Sequence, residues 1–273
     1  PTRRSSDLTV VTQAYAAGLD ALARFAGVRV ARALGAPHLV VRAAHRRVDR
    51  QGEPAAARVV LGAPPELAPF REGALTLTAR PVAGQKSGAF LDLRGLRRHL
   101  AGAPLAGARV LNLFAYTGTL GTACEAAGAA HVTHVDRAAD ALAFAAAHHV
   151  GDPGKHRFVV ADVFRWLAGD GERFEVVIVD PPSMTSRIEQ VPGVLATYRR
   201  LHAAAAARVE PGGLLVVACC TSRVTRAEFK RTALAAAGGR FQLERELAPE
   251  PDHPVGFPEA DYLKILLLRA RDA

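Results

Sequence analysis

Several strand-like runs in this 273-residue sequence end in residues that can do chemistry. The run "RVLNLFAYTGTLG" closes on Tyr116, Thr117, Gly118 and Gly121. Their spacing is that of the dinucleotide fingerprint G-x-G-x-x-G, with tyrosine standing where the first glycine belongs. That departure disfavours a pyrophosphate packed against the start of the following helix. A pocket without a phosphate cradle suits a nucleoside-bearing cofactor that has no diphosphate, and S-adenosylmethionine is the common one. Asp136 ends the next run, 18 positions beyond Gly118, where a carboxylate can accept both ribose hydroxyls. Asp162 ends the third run and is placed to receive an adenine amino group, with Val163 donating its backbone N–H. Each acid alone reads as readily as a helix cap, but a series at successive strand ends points to one site.

The fourth run ends "VIVDPPSMTSR". Consecutive prolines hold the backbone extended and keep Asp180 at the edge of a sheet. Enzymes that methylate exocyclic amines place an aromatic residue after such prolines, whereas Ser183 and Met184 follow here. The fifth run ends "ACCTSR", and only one of Cys219 and Cys220 can face a pocket, because neighbours on a strand point to opposite sides. Cytosine C5 is a poor nucleophile until something adds to C6, and a thiolate does this well. A basic surround would favour that thiolate. Cys124 reads as core. His131 and His134 flank a strand, and His148 and His149 end a helix. None shares zinc spacing with the cysteines, so no metal is expected.

The elements that must position these residues follow from the pattern. Residues 9–26 carry a helical distribution of apolar residues. "HLVVRAAHRR", "ARVVLG" and "ALTLTARP" then read as strands between Gly/Pro-rich turns. From Arg109 strands alternate with helices, the mark of a parallel sheet covered on both faces. The strands are "RVLNLFA", "HVTHVD", "RFVVAD", "FEVVIVD" and "GGLLVVACC", followed by "FQLEREL" and "YLKILLLRA" with no helix between them. An antiparallel finish to a parallel sheet is the arrangement of class I methyltransferases. The expected fold is therefore α/β and Rossmann-like, with a mostly parallel seven-stranded sheet, an antiparallel last strand and a small α+β domain in front. The domains expected are 9–80 for the small unit and 81–273 for the larger. The octapeptide "PTRRSSDL", residues 1–8, back-translates in one frame to a sequencing adapter, and the expectation is a read artefact that takes no part in the fold.

Composition limits the function classes. Lys plus Arg number 35 against 26 acids, for a net charge of +9, which fits a polyanionic partner such as RNA. No apolar span reaches membrane length, and three cysteines fit a reducing cytoplasm better than a disulfide scaffold.

Seven segments, in order, resemble bacterial class I large-subunit (23S) rRNA methyltransferases, most nearly the cytosine-5 type. They are "GQKSGAFLDLRGLRR", "VLNLFAYTGTLG", "HVTHVDRAADALAFA", "ADVFRWL", "FEVVIVDPPSM", "PGGLLVVACCTS" and "DHPVGFPEADYLKILLLR". The resemblance runs from about Leu75 to Arg269, and more faintly over residues 9–75. It implies S-adenosylmethionine as cofactor, held by Lys86, Ser87, Gly88, Phe90 and Arg94 from a segment lying over it. Asp92 belongs to that matching segment. Asn112, Phe114, Tyr116, Thr117 and Gly118 come from the first-strand motif, Asp136 with Arg137 from the ribose end, Asp162 with Val163 from the adenine contact, and Asp180 with Pro181 from the substrate loop. Cys219 falls on the nucleophile of the cytosine-5 members, with Asp180 gripping the base. His148, Met184 and Cys220 depart from the family's Asn, Phe and Ser, and the expectation for the RNA-binding PUA domain that precedes residue 9 in the family is that it was lost with the true terminus or that this branch works without it. The implied partner is large-subunit rRNA in the cytoplasm, a homodimer being compatible, with Arg94, Arg97, Arg98 and Arg187 positioning its backbone. The alternatives are guanine-N7 or other RNA methylation on the same fold, a non-catalytic RNA-binding protein, and a nicotinamide oxidoreductase.

Overall fold

The computed structural model describes residues 8–43, 57–84, 89–169 and 171–272. The chain divides into two compact units, Pro1–Arg71 with Thr76–Leu91, and Glu72–Leu75 with Asp92–Ala273.

The first unit opens with β1 (Thr9–Ala14), α1 (Asp20–Ala33), β2 (His38–Ala43) and β3 (Arg58–Leu61). β1 pairs parallel with β2, and β3 pairs antiparallel on its other side. The helical pattern expected over 9–26 is thus strand over its first third, Thr9–Ala14, and α-helix only from Asp20. The β-branched run Thr9–Thr12 favours a pleated surface, and parallel pairing with His38–Ala43 outweighs the 3.6-residue periodicity. A two-stranded ribbon follows, β4 (Ala68–Glu72) with β5 (Leu75–Ala79). Pro69 hid β4 from the sequence reading, since proline is confined to edges and ends of sheets.

The second unit begins with α2 (Arg94–Ala101), and then alternates β6 (Arg109–Leu113), α3 (Thr119–Ala126), β7 (His131–Asp136), α4 (Ala139–His148), β8 (His156–Val160), α5 (Val163–Leu167), β9 (Phe174–Val179), α6 (Val191–Ala206), β10 (Val209–Cys219) and α7 (Arg226–Ala237), before closing with β11 (Phe241–Leu247) and β12 (Lys264–Ala270). The sheet order is β11-β12-β10-β9-β6-β7-β8, with β12 antiparallel to both neighbours. This is the class I methyltransferase fold. The central strands are near-continuous apolar runs because helices cover both faces. α7 starts at a capping box, Thr225 and Glu228 satisfying each other's end of the first turn. Among the described residues no helix is long and apolar enough to cross a membrane.

The basic segment before β6 is more ordered than its sequence indicated. Leu93, Leu96 and Leu100 recur at helical spacing and are buried, so α2 does have an apolar face. Arg97 lies on that face with no exposed surface, in a two-pronged ion pair with Glu72 at 2.6 Å, and so cannot touch an RNA backbone. Arg94 binds Glu250 and Asp252, and Arg98 binds Glu250 from an exposed position. Arg187 is exposed as expected.

Alternation on the strands sorts the two faces. Leu111, Leu113, Val177, Val179, Leu215, Val217 and Cys219 point to one side, where they pack against Tyr198 and Leu201 of α6 and Phe229 of α7. Asn112 and His134 point to the other, where α3 lies.

Candidate cofactor and catalytic site

The tips of β6, β7 and β8 lie side by side at the carboxyl edge of the sheet, where doubly wound folds bind ligands. The turn leaving β6 is built from left-handed backbone. Phe114 (φ 57°), Tyr116 (φ 48°) and Gly118 (φ 73°) all have positive φ. Gly118 takes this freely, while the two aromatic residues carry strain of about 1–3 kcal/mol each. Tyr116 therefore adopts the backbone that glycine has in the dinucleotide fingerprint, and what it changes is the side chain.

Asp136 holds this turn. Its Oδ2 accepts the Tyr116 N–H at 2.7 Å and its Oδ1 accepts the Ala138 N–H at 2.8 Å. A carboxylate oxygen has two acceptor sites, so both remain able to take a ribose hydroxyl. His149, buried behind the turn, donates from Nδ1 to the Thr117 carbonyl at 2.6 Å, and its own carbonyl accepts from Thr122 Oγ1. At the next tip Asp162 caps α5, accepting the Arg165 N–H at 3.1 Å. Val163 is the first residue of α5, so its N–H has no partner within the helix and is available to a ring nitrogen. Phe114 and Phe164 meet edge to face at 6.5 Å over these tips. Arg137 is exposed at the end of β7.

Lys86, Ser87 and Gly88 lie outside the described residues. Phe90 is half-buried and belongs to the first unit. Arg94 belongs to the second, where its guanidinium gives four hydrogen bonds to Glu250 and Asp252. Burial works against charge on Glu250, but the bonds from Arg94 and Arg98 hold its carboxyl below the usual glutamate range.

Behind the tips runs a feature that the sequence reading did not find. Asn112 Nδ2 lies 3.3 Å from His134 Nδ1, His134 Nε2 lies 2.9 Å from His156 Nδ1, and His156 Nε2 lies 3.1 Å from Glu125. Burial, with His156 beside it, pushes His134 down to about 3, so its ring is neutral. The amide end orients it: Asn112 Nδ2 donates to His134 Nδ1, which leaves His134 Nε2 to donate to His156 Nδ1, with Glu125 at ion-pair distance from His156 Nε2. Asn112 Oδ1 is left buried without a partner. Asn112 is therefore braced from β7 and β8.

At the tips of β9 and β10 the two cysteines separate. Cys219 has no exposed surface and lies in the core among Tyr198 and Phe229, its thiol 3.9 Å from the Thr221 carbonyl. Cys220 is half-buried, beyond the last paired residue, and its thiol donates to the Pro181 carbonyl at 3.5 Å. This reverses the expected orientation. The register of β10 puts odd-numbered residues toward α6 and α7, so the even position meets the loop that begins at Asp180. A second bond, Met184 N–H to Thr221 Oγ1 at 3.3 Å, ties that loop to the turn after Cys220. Asp180 itself is half-buried directly after β9, and Pro181 is buried. The remaining cysteine, Cys124, is fully buried in α3, and burial pushes its thiol up to about 12.

The model of S-adenosylmethionine-dependent methyltransferases matches residues 12–269. The chain belongs to that family. The methyl donor of that family is S-adenosylmethionine. Relatives include a ribosomal RNA large subunit methyltransferase of Deinococcus radiodurans, 37% identical over 209 residues that make up 73% of this chain and 51% of the relative. Another is ribosomal RNA large subunit methyltransferase I of Aeromonas hydrophila, 34% identical over 69% of this chain and 50% of the relative. The chain thus spans about half the length of the relatives it matches. Among solved structures, a Streptococcus mutans protein described as a SAM-dependent methyltransferase superposes with a TM-score of 0.80 at 22% identity, covering 95% of this chain and 68% of its own. A methyltransferase solved with SAH gives 0.79 at 24% identity, covering 95% and 69%.

Proposed function

We propose that this methyltransferase acts on a base of large-subunit ribosomal RNA, and that the atom methylated is cytosine C5. The observation that carries the atom is the half-buried thiol of Cys220 against the Asp180 loop, at a strand end that β9 alone separates from the β6 tip. The relatives named as large-subunit rRNA methyltransferases support the substrate class.

On this reading Asp136 holds the ribose hydroxyls, Asp162 and the Val163 N–H hold the adenine, and the β6 turn with Asn112, Phe114, Tyr116, Thr117 and Gly118 lines the rest. S-adenosylmethionine supplies the methyl group. The target cytosine reaches the cleft unpaired or flipped out of its helix. Asp180 grips its polar edge. The thiolate of Cys220 forms a bond to C6, and the electron pair of the C5–C6 double bond moves to C5. C5 then takes the methyl group, a base removes the C5 proton, the double bond returns and the thiolate departs. Cys219 supports the core beneath this turn. The proposal for Lys86, Ser87, Gly88, Phe90, Arg94, Arg137 and Pro181 is that they complete the donor site.

The test is transfer from methyl-labelled S-adenosylmethionine to large-subunit rRNA, with the RNA then digested to nucleosides and weighed. Label in 5-methylcytidine is expected. Label in 7-methylguanosine, or transfer undiminished in Cys220→Ser, would overturn the C5 reading.

A further inference from the structure

Lys264 is the first residue of β12 and the partner of Cys219 across the antiparallel ladder. It begins an otherwise apolar run, Ile265–Leu268, and is itself 1% exposed. Its ammonium donates to the Thr221 carbonyl at 3.1 Å and to the Tyr262 carbonyl at 3.2 Å. Among the described residues no carboxylate lies within ion-pair distance of it. Burying a cation with only carbonyl partners costs several kcal/mol, and an apolar residue would fill a buried strand position without that cost. The charge is therefore retained against stability, and what it faces shows its use.

It lies on the Cys219 face of β10, opposite to Cys220, and reaches the catalytic turn through the Thr221 backbone carbonyl. The Thr221 carbonyl that receives the Lys264 N–H is also the acceptor of the Cys219 thiol, and it follows Cys220 directly. The other groups around the ammonium are Asp261 before β12, Arg226 and Glu228 on α7, and Tyr198 on α6 beyond Cys219. Burial pushes Lys264 below the ordinary lysine range, while Cys219 and then Asp261 act to restore its charge.

We propose that Lys264 is a positioning residue for methyl transfer, its buried ammonium fixing the Cys220–Thr221 turn and favouring the thiolate of Cys220 as it adds to and leaves the pyrimidine. This rests on the covalent reading above. A nearby cation favours a thiolate, and the half-buried setting of Cys220 leaves that attraction only partly screened.

The test reads the thiol itself and needs no RNA. Lys264→Gln keeps a donor toward the Thr221 carbonyl and removes the charge, and Lys264→Arg restores the charge. The rate of Cys220 alkylation by iodoacetamide is followed from pH 6 to 10, with tandem mass spectrometry separating Cys220 from Cys219. Circular dichroism and calorimetry with S-adenosylmethionine check fold and donor site. Lys264→Gln is expected to slow alkylation at neutral pH about tenfold and to move the pH midpoint about one unit upward, with Lys264→Arg close to the wild type. A second uncharged variant, Lys264→Met, should behave as Gln does. A folded Gln variant with the wild-type rate and midpoint would overturn the proposal. Failure of the covalent reading would show elsewhere, as methyl transfer surviving Cys220→Ser.

Discussion

Replacing Arg97 by methionine should destabilise the second unit without weakening RNA binding. The guanidinium meets Glu72 through two bonds of 2.6 Å, with 1% of the arginine side chain and 9% of the glutamate exposed. At an effective dielectric of about 20, an attraction over that distance is about 6 kcal/mol, and most of it offsets the cost of desolvating the two ions. Removing one partner strands a buried carboxylate, which costs about 3–5 kcal/mol. The double variant Arg97→Met, Glu72→Met leaves no buried charge and should return to within about 1 kcal/mol of the wild type. Urea unfolding followed by Trp166, the only tryptophan and a residue of this unit, measures all four proteins. Additivity of the two single variants, or a fall in RNA affinity with stability unchanged, would refute the reasoning and return Arg97 to the surface.

Three further outcomes follow from buried groups. His134 has a folded value of about 3 against 6.5 when unfolded, so its contribution is fully present above pH 6.5 and is lost as pH falls from there toward 3. The slope is about 1.4 kcal/mol per pH unit, read as urea midpoints at pH 7, 6 and 5, and an unchanged midpoint would contradict it. His202 lies between Tyr198 and Phe229 with both ring nitrogens buried and without partners, and burial also pushes it down to about 3. His202→Phe should therefore raise stability by about 1 kcal/mol and flatten the acid-side slope, as thermal melts at pH 5 and 7 would show. Gly121→Ala would place a methyl group 2.4 Å from His134 Cε1 and 2.8 Å from Val132 Cγ1. It should lower both the melting temperature and S-adenosylmethionine affinity, since the crowded ring braces Asn112.

Much of this architecture was legible because strands and helices alternate from Arg109 onward with apolar strands between polar turns. Asp136, Asp162 and Asp180 were legible as strand-end residues because each closes an apolar run. Adjacent cysteines were harder. Alternation says that Cys219 and Cys220 point oppositely, but which one enters the core depends on the register of β10 with β9 and β12, and no local pattern carries that. His134 read as a flanking residue because its partner, His156, lies on another strand, 22 positions on. β1 was misread as helix because its parallel partner, His38–Ala43, lies far along the chain. Lys264 did leave a signal, a lone lysine at the head of a buried apolar run.

The most direct test of the whole account is covalent capture. Large-subunit rRNA transcribed with 5-fluorocytidine offers a C5 substituent that no base can remove as a proton, so the thiol cannot depart once the methyl group is transferred. Incubation with S-adenosylmethionine should yield a protein–RNA adduct that survives denaturation, and peptide mapping should place it on Cys220. An adduct on Cys219, or none from protein that methylates unmodified rRNA, would contradict it.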